Sequence, residues 1–286
     1  MNYYHEPVLL KESLLYLNPK PHQNFIDCTV GMGGHAVSIL KKSSPDGKLL
    51  CIDQDPEGLN EVKNRLSAFT GRTVYACDNF RNISEIVRDT KFPQVSGIIF
   101  DLGIASWQLG SKEKGLSFSN NSYLDMRLNP KLNITAADIL NDYSEKQLSN
   151  LFYIYGDIRN NRSLARRIIS GRKDKPINRS NDLIEVVGTK NPKMLAPVFQ
   201  ALRIEVNHEL ENLQIAIQNA MELLLCGGRI VVISYHSGED RIVKNFFRSD
   251  KSRIRILTKK PIIPDSQEIN MNSRSRSAKL RAAEKI

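Results

Sequence analysis

Short apolar runs alternate with amphipathic segments through the first hundred residues. Runs of five or six apolar residues closed by polar ones have the length of buried strands. The predicted strands are 25–29, 49–53, 73–77 and 95–100, and the predicted helices between them are 36–42, 57–69 and 83–88. Strands that alternate with helices at this spacing are typical of a parallel, doubly wound α/β sheet, and the right-handed crossover rule fixes most of its topology.

The pattern changes after residue 101. Residues 103–133 are rich in Gly, Ser and Asn and have no strong period. Four helices are then predicted, each preceded by a Ser or Thr that could cap it. They span 136–140, 145–155, 164–170 and 181–187, with the caps Thr135, Ser144, Ser163 and Ser180. A long helix is predicted at 197–225, and further strands at 229–234 and 253–258.

This order of elements predicts one helical domain inserted into a sheet domain. We expect 1–104 and 201–286 to form the sheet domain and 105–200 to form the inserted helical domain. Two consecutive domains would instead leave a four-stranded sheet without its outer half. Sequential strands normally neighbour one another in a single sheet.

Positive charge is concentrated in two segments of a chain whose net charge is +10. Residues 159–179 hold eight Lys or Arg against one acid, and residues 251–286 hold ten against three. Each segment alone could be an ordinary solvated face. Because the two together exceed the net charge of the chain, we expect a polyanionic partner such as a nucleic acid.

The four cysteines are far apart and form no metal-binding or redox pair. Three of them lie in predicted strands, which favours reduced, buried thiols and a cytoplasmic protein. The start of the chain has no secretory signal, and no apolar run reaches the roughly 18 residues of a membrane helix. No Cys/His cluster has the spacing of a zinc site, so we expect no metal of that type.

The strongest local motif is the glycine-rich segment DCTVGMGGH at 27–35. It follows a predicted strand and opens a predicted helix, which is the context of a nucleotide-binding loop. Glycines there allow positive φ angles and close approach of the backbone to a ligand. The spacing of Gly31, Gly33 and Ala36 also fits a dinucleotide fingerprint, so a nicotinamide or flavin enzyme is an alternative.

Three aspartates end predicted strands and should meet at one edge of the sheet. Asp27 and Asp53 close the first and second strands, and Asp101 follows the fourth. Ligands of such sheets bind at the carboxyl ends of the strands. Carboxylates would repel a pyrophosphate but attract the sulfonium and ammonium of S-adenosylmethionine. The three together therefore favour this methyl donor, with Asp53 placed to accept the ribose hydroxyls.

Motifs along nearly the whole chain resemble one known family, the bacterial small-subunit ribosomal RNA cytosine-N4 methyltransferases. The most distinctive are DCTVGMGGH at 27–35, DLGIASWQL at 101–109 and ISYHS at 233–237. Further matches lie at 5–10, 52–56, 115–118, 124–127, 199–204, 206–207, 239–241, Asn272 and 274–281.

The resemblance implies a class I, Rossmann-like S-adenosylmethionine methyltransferase fold whose inserted helical domain recognises the substrate. It implies N4-methylation of a cytidine in the decoding region of small-subunit ribosomal RNA, within the assembled small subunit. It leaves the oligomeric state open between monomer and homodimer. The cofactor residues that it implies are Gly33, Gly34, His35, Asp53, Phe80, Asp101 and Gln108.

Methyl transfer to an aromatic amine needs an acceptor for the amine proton, since the lone pair is delocalised into the ring. Asp101 is the first candidate, although it could serve only the cofactor. Ser234 and His236 follow the fifth strand and are the other catalytic candidates. His236 could equally make a structural hydrogen bond in a turn. The target base must leave its stack to be reached, so aromatic rings should line the entry to the active site. Phe118 and Tyr235 are the candidates for these rings.

Two other functions stay open on the residues alone. An NAD(P)-dependent oxidoreductase would use the same glycine loop for a dinucleotide. A non-catalytic ribosome assembly factor would keep the fold and the basic segments without transferring a methyl group. The residues by themselves indicate a methyltransferase that acts on a polyanion, and the choice of cytosine comes from the resemblance.

Overall fold

The computed structural model describes residues 7–104 and 114–286, and seven strands in these residues form one mixed sheet. The order across the sheet is β3-β2-β1-β4-β5-β7-β6. The strands are β1 Phe25–Asp27, β2 Leu49–Asp53, β3 Thr73–Cys77, β4 Val95–Asp101, β5 Leu224–Ser234, β6 Ile254–Ile256 and β7 Lys279–Lys285. The first five run parallel, and β7 is antiparallel to both of its neighbours.

Twelve helices lie in the described ranges. They are α1 Leu10–Leu17, α2 Gly34–Lys42, α3 Pro56–Arg65, α4 Ile83–Asp89, α5 Ala136–Asp142, α6 Glu145–Gly156, α7 Asn161–Asp174, α8 Ser180–Val187, α9 Pro192–Asn207, α10 Glu209–Leu223, α11 Ser237–Ser249 and α12 Ser266–Met271. None of them combines the length and the apolar character that a membrane crossing requires.

The chain forms two compact units. Residues 7–103 with Leu210–Ile286 form the sheet unit, and the described residues of Ile104–Glu209 form the helical unit. In the sheet unit, both faces of the strands are covered. The side chains of β4 alternate, with Ile98 packing on the face of α4, α10 and α11, and Ile99 on the face of α1, α2 and α3. Covered faces explain why the parallel strands are continuously apolar.

Local capping chemistry sets several helix starts. Thr135 and Ser144 each accept a hydrogen bond from the backbone three residues on and form capping boxes, as predicted. The other two predicted caps are wrong. Ser163 lies inside α7, which begins two residues earlier, and Ser180 is the first residue of α8. Ser180 is buried, and its hydroxyl faces backbone carbonyls of the loop before α5 instead.

The predicted helix at 197–225 is two helices, α9 and α10. His208 separates them with a left-handed φ of 51°. The side chain of Asn207, at the end of α9, donates to the carbonyl of Met126 and accepts from the amide of Leu128, both at 2.8 Å. This break has neither Gly nor Pro, the two strongest sequence signals for the end of a helix.

The last strand, β7, was missed because its sequence is rich in charge. Ion pairs neutralise that charge inside the sheet unit. Arg281, only 7% exposed, binds Asp240 of α11 through two hydrogen bonds of 2.6 and 3.1 Å. Glu284 pairs with Arg229 of β5 and Arg255 of β6. The basic tail is therefore in part a structural strand rather than an arm for an external anion.

We expect Arg281→Ala to lower the free energy of unfolding by about 3 kcal/mol, because it leaves the carboxylate of Asp240, whose side chain is only 15% exposed, without its partner. Urea denaturation followed by circular dichroism measures this. The control is Arg253→Ala, which removes an exposed ion pair with Glu222 and should cost under about 1 kcal/mol. Equal effects of the two substitutions would contradict a structural role for the β7 ion pair.

Candidate functional site

The centre of the sheet brings three carboxylates to one edge. β1 lies between β2 and β4, and all three strands run parallel. Their last residues are Asp27, Asp53 and Asp101. Since parallel strands present their carboxyl ends at the same edge, sheet order alone accounts for this cluster of acids.

Asp27 is the most deeply buried of the three, with 2% of its surface exposed. Burial raises the pKa of its carboxyl from 3.8 to about 7, opposed by the nearby His35 and by a hydrogen bond from the amide of Thr29. The charges of Asp101 and Asp53 raise this pKa further. A cation bound beside these three carboxyl groups would favour the ionised form of Asp27.

The glycine loop between β1 and α2 is shaped by packing on both sides. Gly33 precedes α2 with φ 74°, and a Cβ there would lie 2.5 Å from Cγ2 of Val62. A Cβ on Gly34 would lie 2.8 Å from Cγ of Pro7. The two glycines thus bring the start of α2 close to α3 and to the N-terminal segment.

Asp53 and Arg65 hold the same loop from β2 and α3. Oδ2 of Asp53 accepts from the amide of Gly31 at 2.9 Å, and its Oδ1 accepts from the amide of Asp55 at 3.0 Å. Arg65 donates to the carbonyl of Met32 at 2.5 Å. Asp53 thereby fixes the loop backbone, a task that its sequence position did not reveal.

Phe80 is partly buried in the turn that follows β3. Its ring meets Phe100 of β4 edge-on, with 5.7 Å between centroids. This contact anchors Phe80 beside the carboxyl ends of the strands. Gln108, the other residue that only the family resemblance suggested, lies outside the described residues.

Asp101 is tied to three neighbours and still reaches solvent. Its backbone amide donates to Oγ1 of Thr29 at 2.7 Å, and its Oδ1 accepts from the hydroxyl of Tyr235 at 2.8 Å. Its Oδ2 lies 3.5 Å from Nε2 of His35 without a hydrogen bond. The side chain of Asp101 is 23% exposed and that of His35 only 7%, so Asp101 is the more accessible of the two.

Ser234 and His236 lie on either side of Tyr235 at the end of β5. Ser234 is 1% exposed, and its hydroxyl has no hydrogen-bond partner among the described residues. His236 caps α11: its Nδ1 accepts from the amide of Glu239 at 3.4 Å, and its Nε2 lies 3.2 Å from that carboxylate. Both ring nitrogens of His236 thus face Glu239. This arrangement corresponds to the structural hydrogen bond in a turn, the alternative to a catalytic role for His236.

Sequence reasoning missed the hydroxyl of Tyr235 as a partner of Asp101. It considered only the ring, as a surface for a base. The available signal was topological, since Tyr235 directly follows β5, the strand beside β4. Asp101 pairs in register with Ile233, two residues before this tyrosine.

Comparisons with known proteins place the chain among methyltransferases. Residues 2–286 match the MraW methylase family. A protein of Carboxydothermus hydrogenoformans named ribosomal RNA small subunit methyltransferase H is 42% identical, over 100% of this chain and 99% of its own. A protein of the same name from Dictyoglomus thermophilum is 43% identical, and the match covers 98% of this chain and 96% of that protein.

A solved structure of an rRNA methylase from Streptococcus thermophilus is also similar. It has 13% identity and a TM-score of 0.47, covering 99% of this chain and 98% of the other. The strand order β3-β2-β1-β4-β5-β7-β6 and the match to the MraW methylase family confirm the Rossmann-like class I methyltransferase fold expected from the sequence.

The raised pKa of Asp27 predicts that stability depends on pH. The folded chain holds this proton up to about pH 7 and the unfolded chain only to about pH 4. The free energy of unfolding should therefore fall between these values, by on the order of 4 kcal/mol, and level off above them. Urea titrations at several pH values measure this contribution.

The matched variant Asp27→Asn keeps the size of the side chain and removes its titration. We expect the difference in stability between this variant and the wild type to change steadily across that pH range, in favour of the variant as the pH rises. A difference that does not change with pH would contradict the raised pKa.

Proposed function

Since the chain belongs to the MraW methylase family, we propose that it transfers a methyl group from S-adenosylmethionine to the N4 amine of a cytidine in the decoding region of small-subunit ribosomal RNA. The observation that carries the proposal is the convergence of Asp27, Asp53 and Asp101 beside the glycine loop. Relatives about 40% identical over their full length support the RNA substrate.

The residues present suit a cationic cofactor. A buried carboxyl with a pKa of about 7 beside two further carboxylates gains from a neighbouring positive charge. A pyrophosphate would add negative charge to this edge, which disfavours the oxidoreductase alternative. S-adenosylmethionine carries a sulfonium and supplies an electrophilic methyl group when bound.

The proposed cofactor contacts come from the loop and the ends of the strands. The backbone of Gly33, Gly34 and His35 would face the cofactor, and Asp53 would accept its ribose hydroxyls while continuing to hold Gly31. Phe80 would provide an apolar wall for the adenine. Gln108 remains a proposed contact on the resemblance alone, and the prediction that no zinc-type metal takes part also stands as a proposal.

Asp101 is the proposed acceptor for the amine of the substrate. Its side chain is partly exposed whereas that of its neighbour His35 is buried, and its Oδ2 makes no hydrogen bond to the His35 ring. Ser234 remains a second candidate, since its buried hydroxyl lacks a partner among the described residues. For His236 the contacts with Glu239 support a helix cap rather than a catalytic role.

The helical unit, the described residues of Ile104–Glu209, is the proposed domain for substrate recognition, which the sequence predicts at 105–200. Its basic segment is less available than composition suggested, because five of the eight cations bind groups of the unit itself: Arg166, Arg167, Arg172, Lys175 and Arg179. Arg159, Arg162 and Lys173 are exposed and have no partner among the described residues. These three are the proposed contacts to the phosphate backbone.

The assembled small subunit is the proposed form of the substrate, which places the reaction in the cytoplasm. Specificity would then come from the shape of the ribosomal site, because phosphate contacts carry no sequence information. A non-catalytic assembly factor would need the RNA contacts and would have no use for an acidic edge beside a nucleotide loop.

The direct test is to incubate the protein with small subunits that lack the modification and with methyl-labelled S-adenosylmethionine. We expect label in N4-methylcytidine after digestion to nucleosides. Asp53→Asn should weaken donor binding by at least roughly tenfold, since a charge-assisted hydrogen bond is lost, and Asp89→Asn, a surface substitution on α4, should not. Binding of NAD with no binding of S-adenosylmethionine would refute the proposal, and RNA binding without label would favour an assembly role.

Calorimetry in buffers of different ionisation enthalpy tests the charge of the ligand. At pH 7 a bound cation favours the ionised Asp27, so donor binding should release up to about half a proton. The product S-adenosylhomocysteine, which lacks the sulfonium charge, should release less, and Asp27→Asn should abolish the difference. Proton uptake on donor binding would contradict the electrostatic argument.

A further inference from the structure

Among the described aromatic residues of the sheet unit, Tyr235 is the one whose hydroxyl binds a carboxylate at the candidate site. The hydroxyl donates to Oδ1 of Asp101 at 2.8 Å. The parallel register of β4 and β5 sets this contact, since Asp101 pairs with Ile233 and Tyr235 leaves the sheet just beyond it.

The tyrosine is held at its ring and at its backbone. A Cβ on Gly103 would lie 2.9 Å from Cε2 and 3.2 Å from Cζ of the ring, so only glycine lets the chain after β4 pass this closely. At the other end, the amide of Tyr235 donates to Oε2 of the buried Glu239 at 2.7 Å. Because both ends are fixed, the direction of the hydroxyl is set by the fold rather than by a ligand.

The phenol stays a donor over the whole working pH range. Burial, the charge of Asp101 and the hydrogen bond to it raise the pKa of Tyr235 well above 10. A donor that cannot ionise always occupies the same oxygen of Asp101. The second oxygen, Oδ2, lies 3.5 Å from Nε2 of His35 and is left as the acceptor that can serve a substrate.

We propose that Tyr235 is a positioning residue that holds Oδ1 of Asp101, so that Oδ2 accepts the N–H of the target amine. This inference rests on the proposed function. As the amine nitrogen forms its bond to the methyl carbon, the carbon–sulfur bonding pair remains on sulfur. The surplus proton then passes from nitrogen to Oδ2 and on to water. A carboxylate free to rotate would meet the amine with either oxygen and in poorer alignment.

The test compares Tyr235→Phe with the wild type in single-turnover methylation of small subunits at saturating donor. The ring remains and only the hydroxyl is lost. We expect the rate constant for transfer to fall roughly 10- to 100-fold, with donor affinity changed less than about twofold. Tyr16→Phe is the matched control, because Tyr16 is a partly buried tyrosine of the same apolar cluster, away from the strand ends, and should behave as wild type.

The split between transfer and donor binding separates positioning from a structural role. The hydroxyl orients the carboxylate of Asp101, so its loss should slow transfer while the dissociation constant of the donor stays close to that of the wild type. A merely structural loss would weaken donor binding along with transfer.

A double-mutant cycle covers the case in which the single variant loses stability. If Tyr235 acts through Asp101, adding Tyr235→Phe to Asp101→Asn should reduce transfer no further. Independent losses would overturn the inference, and so would weaker donor binding with unchanged transfer. If the wild type itself transferred no label to the RNA, the proposed function would be refuted. If the wild type and Tyr235→Phe transferred label at equal rates, only the role of Tyr235 would be refuted.

Discussion

The repulsion among Asp27, Asp53 and Asp101 is the constraint on which the site depends. These carboxylates end neighbouring strands, so the sheet cannot form without bringing them together. Burial adds to the cost at Asp27, where the pKa reaches about 7, and the nearby His35 offsets part of it. An edge where three carboxyl groups converge is suited to a positively charged ligand. The glycine loop beside this edge is held by Asp53 and by Arg65.

Positive charge in this chain has two uses, and composition cannot separate them. Arg281 is buried against Asp240, and Arg172 donates to the carbonyls at the end of α5. Such residues stabilise the fold and are unavailable to a partner. Arg159 and Arg162 are exposed cations that could reach RNA. Net charge therefore indicates a polyanionic partner, but it does not identify the residues that would contact that partner.

Sequence signals predicted helix starts correctly where both hydrogen-bonding groups of a cap lie in one short segment. Thr135 and Ser144 cap their helices because the side chain and the amide that it accepts from are three residues apart. The break at His208 and the strand β7 were missed for the opposite reason. Asn207 ends α9 with hydrogen bonds to residues about eighty positions earlier, and β7 needs the acids and bases of β5, β6 and α11 to hold its charges.

The sequence by itself determined the parallel strands, the glycine loop and the acidic residues that follow the strands. Apolar periodicity and strand-end position are local, and parallel strands share an edge whatever their order. Only the tertiary structure decided that the hydroxyl of Tyr235 donates a hydrogen bond to Oδ1 of Asp101 and not to Oδ2. It also decided that His236 faces Glu239. These contacts depend on the register between β4 and β5, which are separated by more than a hundred residues, and no local pattern encodes that register.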